Sequence, residues 1–121
     1  MKILIVDDSK AMRMIVSRTL GQAGLQGYST CEASNGSDAL QLIESEKPDL
    51  ILSDWNMPEM NGIQFLEQVR AAGYDMPFGF VTSESSSETR DQAFAGGAQF
   101  LLTKPFSPEK MHAAISPLFV N

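Results

Sequence analysis

Five residues stand out because each follows a short apolar run. Asp7 and Asp8 follow Ile3 to Val6, Asp54 follows Leu50-Ile51-Leu52-Ser53, Thr82 follows Phe78 to Val81, and Lys104 follows Phe100 to Thr103. Such runs are too short for helices and read as strands buried on both faces, as parallel strands between helices are. In an open parallel sheet the strand ends share one rim, where ligands bind. Three carboxylates at that rim repel one another unless a cation sits among them. Oxygen-only ligands point to a hard ion, and an open rim favours Mg²⁺, which keeps several waters, over Ca²⁺. A lysine and a hydroxyl opposite such an ion complete a cage for a dianionic phosphoryl group, with Lys104 contributing charge and Thr82 a hydrogen bond. Asp54 is then an acceptor, a metal ligand or both.

Each piece has an ordinary reading when taken alone. An acidic pair such as Asp7-Asp8 is usually a solvated strand end, and Asp54 before the turn-forming Asn56 and Pro58 to Gly62 could be a cap or turn former. Lys104 before Pro105 would be a surface lysine, and Thr82-Ser83 a loop. Their joint placement at successive strand ends is what argues for a site.

The elements that must position them follow from periodicity. Strands are predicted over Ile3 to Val6, Tyr28 to Ala33, Leu50 to Leu52, Phe78 to Val81 and Phe100 to Thr103. Ser9 caps a first helix with Met12, Ile15, Val16, Thr19 and Leu20 on its apolar face, ending near Gly21 to Gly24. Asn35-Gly36 reads as a turn, and Ser37 as the cap of a second helix that buries Ala39, Leu40 and Ile43 before Pro48. A third helix after Met60-Asn61-Gly62 carries Phe65, Leu66 and Val69 to Gly73. The run Ser85-Ser86-Ser87-Glu88 caps a fourth with Ala93 and Phe94, stopped by Gly96-Gly97. Ser107-Pro108 opens a fifth with Met111, Ile115 and Leu118, which Pro117 ends or bends. Strands alternating with helices in this way imply an α/β fold: a doubly wound five-stranded parallel sheet with helices on both faces.

Composition bounds the rest. The 121 residues suit one domain, with 43% hydrophobic and 20% charged residues, ordinary globular values. A net charge of −6, from 9 Lys+Arg against 15 Asp+Glu, disfavours nucleic acid and anionic membranes as direct partners. The single cysteine, Cys31, excludes an internal disulfide and reads as a small buried hydrophobe with no basic neighbour to activate it. The apolar start is far short of a signal peptide or a membrane span, so a cytoplasmic protein is expected. His112 reads as an exposed helical side chain, and the seven methionines as core and helix-face filler.

The set Val6-Asp7-Asp8, Asp54-Trp55-Asn56-Met57-Pro58 with Gly62 downstream, Val81-Thr82-Ser83-Glu84 and Lys104-Pro105-Phe106 resembles a response-regulator receiver domain. The likeness is to the stand-alone, CheY-like kind and covers residues 1–121 as a single receiver domain. It implies a flavodoxin-like strand order 2-1-3-4-5 in a (βα)5 fold. It also implies that Asp54 is the phosphoacceptor, taking a phosphoryl group from a histidine kinase or from a small donor such as acetyl phosphate. Asp8, Asp54 and the backbone carbonyl of Asn56 would bind Mg²⁺ directly, and Asp7 through a water. Thr82 and Lys104 would hold the phosphoryl oxygens, while Asn56 and Glu84 would tune its lifetime. The resemblance implies a chemotaxis-like phosphorelay and a monomer, no enzyme beyond its own phosphorylation and dephosphorylation.

Two departures bear on output. Receivers place Tyr or Phe three residues before the lysine as a switch coupled to the threonine, whereas Leu101 stands here, with Phe100 one residue earlier. Chemotaxis regulators that bind the flagellar motor carry lysines on the face of the fourth helix, fifth strand and fifth helix, where Ser87 and Ala114 stand. Both count against the motor switch as partner. They imply weaker coupling, or coupling carried by the loop from Ser83 to Glu88 and by Phe100. With no output domain in the sequence, the signal is expected to leave through another protein bound at that face, or to end in a phosphate sink. The alternatives are a haloacid-dehalogenase-type phosphatase, disfavoured because Asn56 replaces its general acid, and a degenerate docking receiver, disfavoured by the intact acid, threonine and lysine set.

Overall fold

The computed structural model describes residues 1–84 and 86–119. Strands β1 (Lys2–Val6), β2 (Ser29–Ala33), β3 (Leu50–Ser53), β4 (Phe78–Thr82) and β5 (Phe100–Thr103) alternate with helices α1 (Lys10–Gln22), α2 (Gly36–Glu46), α3 (Gly62–Ala71), α4 (Ser87–Ala95) and α5 (Pro108–Ile115). All pairings are parallel in the order β2-β1-β3-β4-β5, as the resemblance implied. Val6 is level with Ala33 on one side and Ser53 on the other, so the strands carrying Asp7 and Asp54 end side by side.

Two cores explain why β1, β3, β4 and β5 read as largely apolar runs, whereas β2, at the sheet edge, is mostly exposed. Leu4, Val6, Ile51, Phe78, Phe80 and Leu101 face Ala39, Ile43, Phe65, Leu66, Val69 and Ala93 of α2, α3 and α4. Ile3, Ile5, Leu50, Leu52, Val81, Phe100 and Leu102 face Val16, Leu20, Met111 and Ile115 of α1 and α5. Successive strand residues thus alternate between the two cores, the period of a pleated strand.

Several expectations need correction. Helix α2 begins at Gly36, not after a Ser37 cap: Asn35 is extended, and its side chain accepts from the Asp38 amide at 2.8 Å. Asn caps as well as Ser. Gly36 fits because a β-carbon there would meet Met60 Sδ at 2.6 Å. On α1, Ile15 is 47% exposed although it was expected on the buried stripe, because the buried arc runs through Val16, Leu20 and Ala23. Phe94 is likewise 48% exposed, one residue off the Thr89 and Ala93 stripe that buries α4. In the serine run, Ser86 is the α4 cap, accepting from Thr89 at 3.1 Å, and Ser85 lies outside the described residues. The C-terminal Val120 and Asn121 lie outside them as well. Ser9 caps α1 and Ser107 caps α5 as expected. Helix α5 ends at Ile115 and continues as a 3₁₀ turn, Ser116–Phe119, that contains Pro117.

Candidate functional site

The β1 end turns immediately. The Asp7 amide still donates to Ala33 of β2 at 3.2 Å, but its side chain folds back to accept from the Ser9 amide at 2.9 Å. That bond precedes the Ser9 cap, so one short polar turn both ends the strand and starts α1. Asp7 is 4% exposed, whereas Asp8, one residue on, faces solvent.

Asp54 continues the ladder for one residue, its amide donating to the Val6 carbonyl at 2.9 Å. Its Oδ1 accepts from the Trp55 amide at 2.8 Å, and its carbonyl accepts from Ser53 Oγ at 2.9 Å. The turn closes where the Gly62 amide donates to the Trp55 carbonyl at 2.7 Å. Only glycine fits there: a β-carbon would stand 2.5 Å from the Asp54 carbonyl, 2.6 Å from the Phe80 ring and 2.9 Å from Trp55 Cα. Asn61 and Gln64 form a reciprocal capping box that starts α3 at that glycine. The turn after Asp54 is therefore clamped at Gly62, and Trp55 packs on Phe80 with ring centroids 4.9 Å apart.

Lys104 closes the rim from the other side. Its amide donates to the Thr82 carbonyl at 2.8 Å, and its Nζ lies 3.6 Å from both Asp7 Oδ2 and Asp54 Oδ1. Thr82 is fully buried, its hydroxyl accepting from the Glu84 amide at 3.2 Å. Glu84 reaches back across the rim to accept from Asn56 Nδ2 at 3.3 Å. Asp7, Asp8, Asp54 and Lys104 are thus brought together, and Asn56, Thr82 and Glu84 are linked to one another around them.

Each of Asp7, Asp8 and Asp54 offers one carboxylate oxygen, and these lie within 4.8 Å of one another. Burial raises the Asp7 pKa, with the Asp54 and Asp8 charges adding to it and the Ser9 amide and Lys104 opposing it. One lysine between two carboxylates leaves this cluster short of positive charge. The donor set fits Mg²⁺: oxygen ligands only, excess negative charge, and one exposed carboxylate beside open solvent.

Leu101 is 6% exposed and lies in register beside Phe80 on the α2–α4 side. Phe100 points to the α1 and α5 side, its ring filling the notch left by Gly79, where a β-carbon would come within 2.1 Å of it. Phe100 therefore does not occupy the place of the missing aromatic beside Phe80, because adjacent strand residues face opposite cores. Cys31 is half-buried rather than buried, and it does have a basic neighbour, Lys2, whose charge opposes the rise in thiol pKa that burial and Glu46 cause. His112 is exposed on α5 as expected, with its Nδ1 2.8 Å from the Ala23 carbonyl at the end of α1. Sequence reasoning missed Arg13, whose guanidinium meets the Asp7 carbonyl; no local pattern marks that contact. Among the described residues no helix is long and apolar enough to cross a membrane.

Comparison with known proteins agrees with this geometry. Residues 3–116 match the family model of the response regulator receiver domain. The chemotaxis protein CheY homolog of Campylobacter jejuni is 38% identical over 112 residues, 90% of this chain and 85% of that protein. Response regulator MprA of Mycolicibacterium vanbaalenii is 36% identical over 117 residues, 97% of this chain but 49% of that longer protein. Among solved structures, the chemotaxis protein CheY4 of Vibrio cholerae is similar with a TM-score of 0.86 and 38% identity, covering 98% of each chain.

Proposed function

Because this chain belongs to the response regulator receiver family and is CheY-like, we propose that it is a phospho-switch whose acceptor is Asp54 and whose phosphoryl donor is a histidine kinase. The observation that carries this is Lys104 Nζ, 3.6 Å from both Asp7 and Asp54, opposite the cluster that Asp8 completes. That arrangement sets Asp54 between a cationic group, Lys104, and two further carboxylates that can bind a cation, Asp7 and Asp8, which suits transfer of a highly charged group rather than a structural ion pair.

In the proposed reaction an Asp54 carboxylate oxygen attacks phosphorus in line. As the new P–O bond forms, the P–N bond of a phosphohistidine breaks and the imidazole takes up a proton; with acetyl phosphate, acetate leaves. Lys104 neutralises charge on the transferred oxygens, and the buried Thr82 hydroxyl, which accepts from the Glu84 amide at 3.2 Å, would donate to them. Asp8, Asp54 and the Asn56 carbonyl would hold Mg²⁺, with Asp7 acting through a water, and the ion would stabilise charge on the transferring group. Water later attacks phosphorus, the bond between phosphorus and the Asp54 oxygen breaks, and inorganic phosphate leaves with the water's oxygen while a proton passes to solvent and the carboxylate is restored. Asn56 and Glu84, whose side chains are hydrogen-bonded at 3.3 Å, would tune the rate of that step. Catalysis is thus confined to the protein's own acceptor.

Residues 1–121 would act as one monomeric receiver unit in the cytoplasm. Output would pass to a protein bound at the face of α4, β5 and α5, with the flagellar motor switch disfavoured by Ser87, Leu101 and Ala114. The family match over residues 3–116 removes the support for a dehalogenase-type phosphatase. The test is incubation with Mg²⁺ and acetyl phosphate, followed by mass spectrometry. One acid-labile phosphoryl addition is expected, lost in Asp54→Asn; labelling of that variant at the normal rate would sink the assignment.

A further inference from the structure

We propose that Arg13 is a positioning residue for the acidic rim, acting on the peptide that joins Asp7 to Asp8. The proposal rests on the phosphoryl-acceptor reading above. Strand β2 ends at Ala33, whose carbonyl takes the Asp7 amide at 3.2 Å, so the β1–β2 ladder stops there. The Asp7 carbonyl is met by a side chain instead: Arg13 Nη1 donates to it at 2.7 Å. The same guanidinium donates through Nε to Glu32 Oε1 on β2 at 2.9 Å, with the Arg13 side chain only 15% exposed. Arg13 therefore extends the ladder by one rung, joining the two strands just where the backbone no longer can.

This rung falls on a peptide with a particular consequence. A peptide unit is planar, so holding the Asp7 carbonyl orients the whole plane up to the Asp8 amide and Cα, which fixes ψ of Asp7. That plane sets where the chain enters Asp8, and so the position from which the Asp8 side chain starts. Asp7 has a second restraint, its bond from the Ser9 amide at 2.9 Å. Asp8 is exposed, and its direction depends on the backbone that carries it. The rigid fork of a guanidinium suits this task because two N–H groups leave in fixed directions, whereas a lysine's donors sit on one compact, rotatable ammonium. Outer groups that orient metal ligands typically account for 10–100-fold in metal affinity.

The experiment compares the full-length wild type with Arg13→Met, Arg13→Lys and Glu32→Gln. Mg²⁺ is titrated by Trp55 fluorescence, the Asp8 amide is followed by ¹⁵N–¹H NMR without metal, and acetyl phosphate labelling is measured against Mg²⁺. Arg13→Met should weaken Mg²⁺ about tenfold. It should also shift the Asp8 amide before any metal is added, and the labelling rate lost at limiting Mg²⁺ should be recovered by raising it, a shift in the half-saturating Mg²⁺ rather than in the maximal rate. Arg13→Lys should fall between, and Glu32→Gln should lose less because it keeps a neutral acceptor. Wild-type Mg²⁺ affinity with an unmoved Asp8 amide in a folded Arg13→Met would overturn the proposal. If Arg13→Met does not fold, the same result in Arg13→Lys overturns it. A wild type that neither binds Mg²⁺ nor takes label would overturn the receiver reading and this proposal together; variants matching a wild type that does both would overturn this proposal alone.

Discussion

Replacing Asp7 by asparagine should make the metal-free protein more stable and its response to Mg²⁺ smaller. Asp7 is the buried member of a cluster whose carboxylate oxygens lie within 4.8 Å, and the cation that meets its carboxylate, Lys104, is shared with Asp54 at 3.6 Å. With an effective dielectric of about 20, each like-charged pair at the larger distance costs about 3.5 kcal/mol, and the lysine contact returns about 4.6 kcal/mol. Neutralising Asp7 removes two repulsions and one attraction, a net gain of about 2 kcal/mol, which solvent screening at exposed Asp8 trims toward about 1 kcal/mol. For a domain of this size that is a rise in Tm of about 4–8 °C. The asparagine oxygen can still accept from the Ser9 amide, so the turn should survive. The pH dependence follows from the raised Asp7 pKa. The folded state holds this proton to higher pH than the unfolded chain does, so wild-type stability falls as pH rises from the ordinary value of 3.8 through the native one. The gap between variant and wild type should therefore be widest near neutral pH and close in acid, where both side chains are uncharged. Mg²⁺ at a hundredfold excess over its Kd adds about 2.7 kcal/mol to the wild type and should add less to the variant, narrowing or reversing the order. Thermal and urea melts in EDTA and in Mg²⁺ measure this. A variant no more stable than wild type in EDTA at neutral pH would refute the reasoning, since the cluster would then not be electrostatically strained.

Mg²⁺ should change Trp55 fluorescence saturably, because its amide is bonded to Asp54 Oδ1 at 2.8 Å; a flat titration with an unmoved Tm would count against the metal site. Gly62→Ala should destabilise the fold by about 1–3 kcal/mol through overpacking, with a larger loss of acetyl phosphate labelling than of folded protein, because the added carbon strikes the Asp54 carbonyl and the Phe80 ring. Equal stability by urea melts with normal labelling would show that the turn yields. Leu101 offers no ring to swing, so beryllofluoride should raise affinity for a motor-switch peptide about tenfold less than an aromatic there would allow, the equivalent of about 1.4 kcal/mol of coupling. A gain in a peptide titration that Leu101→Tyr does not exceed would show that leucine is no handicap.

The sequence by itself determined the strands, their parallel arrangement and the residues at their ends. A strand buried on both faces must be apolar throughout, so the first charged residue marks where it emerges, at Asp7, Asp54 and Lys104. Cap and turn chemistry is equally local, which is why Ser9, Ser107 and Gly62 were legible; Asn35 and Ser37 are both capping residue types, and the structure has Asn35 in that role. Tertiary structure decided what local signals do not contain. Alternation placed Phe100 and Leu101 on opposite faces, but only the sheet order showed that Leu101 lies beside Phe80 and that Phe100 fills the notch at Gly79. Ile15 and Phe94 fit a helical stripe, yet each falls just outside the arc its helix buries. The reach of Lys104 to two carboxylates, and of Arg13 to the Asp7 carbonyl, depends on strand register and on how α1 lies over the sheet. These contacts join residues distant in the chain or on different elements, and their geometry is set by the packing of both cores at once.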